Sequence, residues 1–428
     1  MQGQPLTYKI LEVFSNEDSN SVDIRSGVPV LEYRESVLSP FITVDISIID
    51  SGSALPAQGS RGTIGLLESI KLQGTEKFKL KLGDQYGNQI DLSDDNDLRV
   101  AKTIFGSKGV RESSCVIRVV SKEAFDNCLI KNRMTDSYLG TGDQIVSQAL
   151  RSLGTEKNFY AETTLKDIQF NGDNRYPFEM CLDVQKVSIP IGIDSAGYLF
   201  WETSKGYNFK SLDRMFDETG KVIKKFEETR FSDKSLSPGF NGKILRSSFL
   251  LVNDMLKQFE DGAYNTELDL FDPLSKDTRF KEVTRTSPEE GNGTIAGLNL
   301  PILNSEYKDE VTSELHKVKD DGQKIIPGVG LAEIDDTSFD IESTSLQSHL
   351  NYRQKFSSSL NIVIDADLSL SAGDLVFCKF AETSQKPSVV RSPKDSGIYM
   401  IADLCHYSTP TQAFTGLNLV RDSYGVKN

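Results

Sequence analysis

The stretch Phe41-Ile42-Thr43-Val44-Asp45-Ile46-Ser47-Ile48-Ile49-Asp50 decides the fold class. Ile42, Val44, Ile46 and Ile48 alternate with Thr43, Asp45 and Ser47, a period of two that marks a strand with one buried face. The same period returns at Lys77-Phe78-Lys79-Leu80-Lys81-Leu82, with the lysines outward. Gly83-Asp84-Gln85-Tyr86-Gly87-Asn88 follows as a turn cluster, and the pattern resumes at Gln89-Ile90-Asp91-Leu92. Tyr8 to Phe14 and Cys115 to Val120 read as further strands. Several strands separated by turns within the first 120 or so residues predict a barrel or sandwich.

The whole chain of 428 residues has room for about three domains with sizeable cores. Its 38% hydrophobic and 26% charged residues fit a soluble globular protein. No apolar run reaches the 18 or so residues of a membrane span. Met1-Gln2-Gly3-Gln4-Pro5 offers neither a basic n-region nor an apolar h-region, so no secretory signal is expected. The 62 acidic and 48 basic residues leave a net charge of −14, which argues against wrapping nucleic acid by counterion release. A protein that nucleic acid slides past stays compatible with that balance. Cys115, Cys128, Cys181, Cys378 and Cys405 are odd in number and widely spaced, without a CxxC. They read as reduced thiols of a cytosolically made protein, with no disulfide framework or zinc site expected.

A mixed region runs from about Ser121 to Phe216. Thr141-Gly142-Asp143-Gln144 has capping-box spacing, Ile145, Ala149, Leu150 and Leu153 follow at helical spacing, and Gly154 stands where the helix should stop. Gly197-Tyr198-Leu199-Phe200-Trp201-Glu202-Thr203-Ser204-Lys205-Gly206-Tyr207-Asn208-Phe209-Lys210-Ser211-Leu212 reads as a strand, a Ser-Lys-Gly turn and a short helix carrying Phe209, Leu212, Met215 and Phe216 inward. Trp201 is the only tryptophan. These aromatics form either core or a stacking platform for sugars or bases; core is the reading taken here.

A second β-rich region begins near Lys221. Leu250 to Glu260 reads as a helix closed by Asp261-Gly262, and Ala263 to Asp272 as a strand ahead of Pro273. Between about Thr286 and Thr344 the periodicity breaks at Gly291-Asn292-Gly293, Pro301 and Pro327-Gly328-Val329-Gly330, which predicts a long loop or insertion. Asp254 to Thr344 holds 21 acidic and 9 basic residues, a net of −12 and nearly all of the chain's excess. A solvated surface is the reading taken. Clear β returns with Leu360 to Ile364, a turn at Ser371-Ala372-Gly373-Asp374, Leu375 to Phe380, and Ser396 to Ile401. A polar loop, Ala381 to Asp395, separates the last two strands. Asp403 to Tyr407 and Phe414 to Val420 read as two more.

Chemistry finds no anchor. His316, His349 and His406 are scattered, with no HExxH or HxH pair. Cys405 and His406 are neighbours on a strand and point opposite ways, unlike a catalytic pair that converges from separate segments. No GxSxG elbow, Walker A loop or GxGxxG after a strand occurs. Among 62 acids no carboxylate pair stands out as acid and base. No enzyme and no cofactor are expected.

The C-terminal order of Arg353-Gln354-Lys355-Phe356, a strand, Ala372-Gly373-Asp374, Ser396-Gly397-Ile398-Tyr399-Met400-Ile401, His406 and Leu419-Val420-Arg421-Asp422-Ser423 resembles the last barrel of central hub proteins from contractile phage tails. The segment from Gly197 to Leu212 resembles the same family, the T4-like baseplate central hub. Its signature residues are Gly197, Tyr198, Phe200, Trp201, Gly206, Tyr207, Phe209, Leu212, Gly373, Asp374, Gly397, Tyr399, His406, Arg421 and Asp422. They are a structural signature, not an active site. The stretch 286–344 matches nothing in the family.

The resemblance implies a mainly β fold with α+β parts: two tail-tube-like antiparallel β-barrels joined by mixed α/β domains. The divisions would be 1–120 for barrel 1, 121–217 for a mixed α/β domain, 218–250 with 346–428 for a discontinuous barrel 2, and 251–345 for a mixed segment with an acidic loop or insertion. No register repeats one barrel convincingly in the other. The resemblance further implies a homotrimeric ring in the virion baseplate, made in the host cytoplasm, that adapts a sixfold tail tube to a threefold spike. Its partners would be the spike or puncturing needle, tail tube or tube-initiator proteins, and baseplate wedge proteins. Tape measure and DNA would pass through its lumen, the DNA without specific binding. A different class stays open: a carbohydrate-binding or adhesion module of a tail fibre using an exposed Trp201. A cell-wall hydrolase is a third class that no residue favours.

Overall fold

Alternation in the sequence becomes alternation in burial. Val44, Ile46 and Ile48 are fully buried while Thr43, Asp45 and Ser47 lie on the other face. The computed structural model describes residues 4–17, 21–50, 55–56, 63–64, 72–94, 97–108, 112–165, 167–192, 196–217, 221–228, 242–252, 254–272, 277–283, 304–307, 310–318, 324–326, 330–332, 341–356, 358–382, 391–392 and 394–422. The N-terminal strands are β1 (Thr7–Phe14), β2 (Ser21–Asp23), β3 (Val30–Ser36), β4 (Thr43–Asp50), β5 (Leu55–Pro56), β6 (Thr63–Ile64), β7 (Lys77–Gly83), β8 (Gln89–Leu92), β9 (Leu98–Lys108) and β10 (Ser113–Ser121). Next come α1 (Lys122–Asn127), β11 (Ser137–Thr141), α2 (Gly142–Ser152), β12 (Phe159–Ala161), β13 (Asp167–Asn171), α3 (Pro177–Val187), β14 (Tyr198–Thr203), β15 (Gly206–Ser211) and α4 (Leu212–Asp217). The remainder is β16 (Lys224–Glu228), β17 (Lys243–Val252), α5 (Met255–Glu260), β18 (Thr266–Asp272), β19 (Asp277–Val283), β20 (Ser313–Val318), β21 (Lys324–Ile326), β22 (Gly330–Ala332), α6 (Ile341–Lys355), β23 (Ser358–Asp365), β24 (Leu375–Lys379), β25 (Gly397–Ser408) and β26 (Ala413–Arg421). The fold is mainly β.

Among the described residues fourteen strands belong to one sheet. Six of them close on themselves in the order β25-β24-β16-β17-β23-β26 and back to β25, a barrel drawn from both sides of the 251–345 stretch. The N-terminal strands make two layers. β2-β1-β7-β8 folds back over β9-β10-β4-β3, and the turn between them is the short β7–β9 pairing at Lys77–Arg99 and Phe78–Leu98. Among the described residues this half is not closed by strand pairing. The 3-10 turn Arg25–Gly27 fills the open side, and Gly27 is required there because a Cβ would stand 2.9 Å from the Ile49 carbonyl oxygen.

The two halves are one structure because β3 pairs antiparallel with β25, from Ser36–Asp403 to Leu31–Ser408. β25 gives one edge to β26 and shares the other between β24 and β3. A single core runs across the join, with Leu11, Leu80 and Val44 in the same cluster as Ile362, Val376 and Leu417. The mixed region lies against this junction. β14 is buried on both faces: Tyr198 and Phe200 meet α2 and α3, whereas Leu199 and Trp201 meet the barrel. Thr141 N–H donates to Gln144 Oε1 at the start of α2, and Gly154, with φ +63, follows its end as expected. No helix among the described residues is long and apolar enough to cross a membrane.

Several expectations change. Phe209 lies on β15, paired with Phe200, so the aromatic segment is a hairpin and the helix begins only at Leu212. The helix expected over Leu250–Glu260 starts at Met255, because β17 continues to Val252 beside β23. The strands expected at Ser396–Ile401 and Asp403–Tyr407 are one strand, β25, with an irregularity between Ile401 and Asp403. The aperiodic stretch contains β20, which pairs parallel with β18, and the short β21–β22 hairpin; most of 286–344 lies outside the described residues. β3, β9 and α6 have no counterpart among the expected elements.

Candidate functional site: the sheet junction and its buried pins

Trp201 stands where the mixed region meets the barrel. It is 1% exposed, and its indole Nε1–H donates to the Ala372 carbonyl at 3.0 Å. Gly373 adopts φ +91, and a Cβ there would lie 2.6 Å from Trp201 Cζ2. The turn Ser371–Asp374 is held by Ser371 N–H donating to Asp374 Oδ2 and by Gly373 N–H donating to the Ile401 carbonyl, both at 2.8 Å. Leu212, Met215 and Phe216 complete this cluster with Met400 and Val420. Thus Trp201, Leu212, Gly373 and Asp374, far apart in the chain, converge. A Trp201 presented to solvent, which the adhesion reading requires, is not what the fold contains.

The other signature residues form separate groups. Tyr198 stacks on Phe209 at 4.6 Å and Phe200 on Tyr207 at 5.6 Å, on the helix-facing side of the hairpin. Gly206, with φ +130, lets the hairpin pass within 2.3 Å of the Asn158 carbonyl oxygen from a would-be Cβ. Gly197 accepts Leu212 N–H at 3.0 Å. At one end of the barrel Arg421 lies 4.7 Å over the Tyr399 ring and donates to the Lys394 carbonyl. Gly397 starts β25 opposite Cys378, and Asp422 is buried beside Arg421. His406 stacks on Tyr33 at 5.8 Å and bonds Thr415 Oγ1 through Nδ1 at 2.8 Å. Burial lowers its imidazole to about 4, against the opposing pull of Asp367 and Asp84.

Two buried polar pins were not anticipated. Glu35 on β3 accepts Tyr33 Oη at 2.7 Å, Ser204 N–H at 2.8 Å and Ala372 N–H at 2.9 Å, so one carboxylate ties β3 to the hairpin turn and to the Trp201 turn. Burial raises it above the ordinary carboxylate range. Lys157 bridges Glu123 at 2.6 Å and Glu202 at 2.7 Å, while Glu202 also accepts Ile42 N–H and Ser121 Oγ–H. Burial works to lower the Lys157 ammonium, but Glu202 and Glu123 outweigh it and push it up to about 12. Glu35 sits in phase with buried Leu31 and Tyr33, a signal the sequence does carry; Glu202 and Lys157 leave none. These groups are spent on hydrogen bonds and ion pairs that position backbone. Among the described residues no three His, Cys, Asp or Glu side chains could hold a metal ion. Burial pushes the thiol of Cys115 up to about 11, far from a reactive thiolate.

Beyond the core, β9-β10-β4-β3-β25-β26-β23-β17 is a run of eight strands, every neighbouring pair antiparallel. Its outer face mixes charged side chains with exposed Ile49, Ile104 and Val116. Asp45 accepts Arg118 Nε at 2.7 Å and lies 3.6 Å from Arg34, which also binds Glu32. Next to them a groove of about 540 Å³ crosses the β3–β25 join, with Arg34, Arg118, Asn361, Asp403 and Asn418 along it.

No protein-family model and no curated protein matches the chain in sequence. In structure it is similar to the 43 kDa tail protein of prophage MuSo2 from Shewanella oneidensis, with 10% identity, a TM-score of 0.51, and 98% of each chain covered. It is also similar to a tail protein from Neisseria meningitidis MC58, with 9% identity, a TM-score of 0.54, and 98% and 97% of the two chains covered. The chain shares their fold. That likeness spans the barrel, the mixed region and the N-terminal layers together.

Proposed function

We propose that this chain is a non-enzymatic structural protein of a contractile-tail phage baseplate, a central hub whose three copies form a ring. The ring adapts the sixfold tail tube to the threefold spike and encloses the channel for tape measure and DNA. The observation that carries this reading is the eight-stranded antiparallel run through the β3–β25 join. One chain thereby presents two strand-rich units side by side in one sheet, and three chains present six. In this reading 1–120 and 218–250 with 346–428 are the two tube-like units, 121–217 is the mixed domain, and 251–345 is an added segment. The outer face lines the channel, where Glu32 and Asp45 neutralise Arg34 and Arg118 and so weaken their hold on a passing duplex. The fold shared with two tail proteins supports the assignment. Partners follow from the position: a spike below, tube or tube-initiator proteins above, and wedge proteins around.

Negative-stain electron microscopy of the purified chain at micromolar concentration tests it. Threefold or pseudo-sixfold rings with an open centre are expected. Monomers alone, throughout the accessible concentration range, would overturn the self-assembling ring.

A further inference from the structure

The eight-stranded run has two ends, and among the described residues both are unpaired for eight residues. On β9 the pairing with β7 stops at Arg99 and the last backbone bonds across that edge are at Val100, so the outer edge of 101–108 faces no strand. On β17 the pairing with β16 stops at Ile244, so the outer edge of 245–252 faces no strand. An exposed, unpaired edge is a template for another strand. Each of these edges also carries an uncovered phenylalanine, Phe105 at 65% exposure and Phe249 at 45%.

These two rings lie on the same face of the sheet. Phe105 is opposite Cys115, and Phe249 is opposite Leu360; Cys115 and Leu360 both point into the core. Directly opposed residues of an antiparallel pair share a face. Both phenylalanines therefore continue the core layer past the point where the chain's own strands cover it. Phe249 already leans on buried Phe380, 5.6 Å away.

Strand direction settles how the ends meet. With eight strands alternating in direction, β9 and β17 run opposite ways. Placed beside each other in two copies, they continue the antiparallel order without a break. A parity of seven or nine would force a parallel seam.

We infer that the 101–108 edge of β9 pairs antiparallel with the 245–252 edge of β17 in the next copy, with Phe105 and Phe249 covering each other on the core side. The contact is heterologous, so it repeats around a ring and closes where the rotation allows. The inference rests on the ring proposed above and names the surfaces that make it.

The test uses the full chain in three forms: wild type, Phe105→Asp and Phe249→Asp. Both sites are exposed, so far-UV circular dichroism should match wild type. Each variant alone should lose rings, with self-association weakened at least about thirtyfold, as expected for an aromatic anchor at an interface. An equimolar mixture of the two should give a one-to-one dimer by native mass spectrometry and nothing larger. In that pair one intact β9 edge meets one intact β17 edge, and the two remaining edges are both damaged. Dimer formation also shows that both variants are folded. Rings formed by either variant alone, or a mixture that stays monomeric, would overturn the inference while wild-type rings left the hub reading standing. Wild-type chains that never form rings overturn both.

Discussion

Gly373 shows how a single position without a side chain fixes a junction. Its φ of +91 and the 2.6 Å approach of Trp201 Cζ2 exclude any Cβ without displacement of the indole. Gly373→Ala should cost about 2–5 kcal/mol, the sum of backbone strain and overpacking. A shift in the urea midpoint, accompanied by a red-shifted emission from the sole tryptophan, would register it; an unchanged midpoint would show that the turn relaxes freely. His406 gives a pH signature. Its folded value of about 4 lies below the ordinary value near 6.5, so between those two the unfolded chain binds more protons than the folded one. Its contribution is complete above about pH 6.5 and falls as pH drops toward 4, by about 3 kcal/mol at most. Glu35 and Glu202, raised by burial, act in the opposite sense. The difference in stability between wild type and His406→Gln isolates the histidine. That difference should slope across pH 6.5 to 4 and be level above it.

At the scale of elements, the Lys157 bridge is what seats the aromatic hairpin on the ends of β4 and β10. Lys157→Met strands Glu123 and Glu202 in a buried site, with an expected loss of about 3–5 kcal/mol in chemical denaturation. Adding Glu202→Gln should return part of it, because the residual buried charge is then removed from the hairpin side; strictly additive losses would show that the two groups do not act together. The elements legible in the sequence were those that depend on neighbours along the chain. β4, β7 and β8 declare themselves by alternation, and α2 by Thr141, Gln144 and Gly154 at its two ends. β3 is hard to read because its apolar alternation is short: Leu31 and Tyr33 are followed in the same phase by the charged Glu35. The buried Glu35 makes sense only with Ser204 and Ala372 beside it, more than 160 residues away in either case. β9 is hard to read because Lys102, Ile104 and Phe105 are exposed on an edge that, among the described residues, no neighbouring strand covers. Of the signature residues, local reading gives the first strand of the hairpin, its Ser-Lys-Gly turn and the Gly373 turn, but takes the second strand for part of a helix. It had no means of finding that Trp201 and Gly373 touch.

At the scale of the molecule, the net charge of −14 matters less than where charges face. On the outer side of the eight-stranded run, Arg34 and Arg118 are held by Glu32 and Asp45, so these two arginines add little net positive potential there. Removing both carboxylates as Glu32→Gln with Asp45→Asn leaves two arginines and nearby Lys102 uncompensated on one surface. That variant should bind a labelled DNA duplex in fluorescence anisotropy at about 50 mM salt and release it by about 200 mM, as phosphate contacts do. Wild type should not bind at the same protein concentration. The matched control is Asp91→Asn with Asp126→Asn, which removes two carboxylates that pair Lys81 and Lys122 off this face and gives the same net charge. Binding by the first variant and not the second would place the effect on the proposed channel wall. Equal binding by both would assign it to overall charge, and the pairing of Arg34 and Arg118 would then have no part in keeping a passing duplex free.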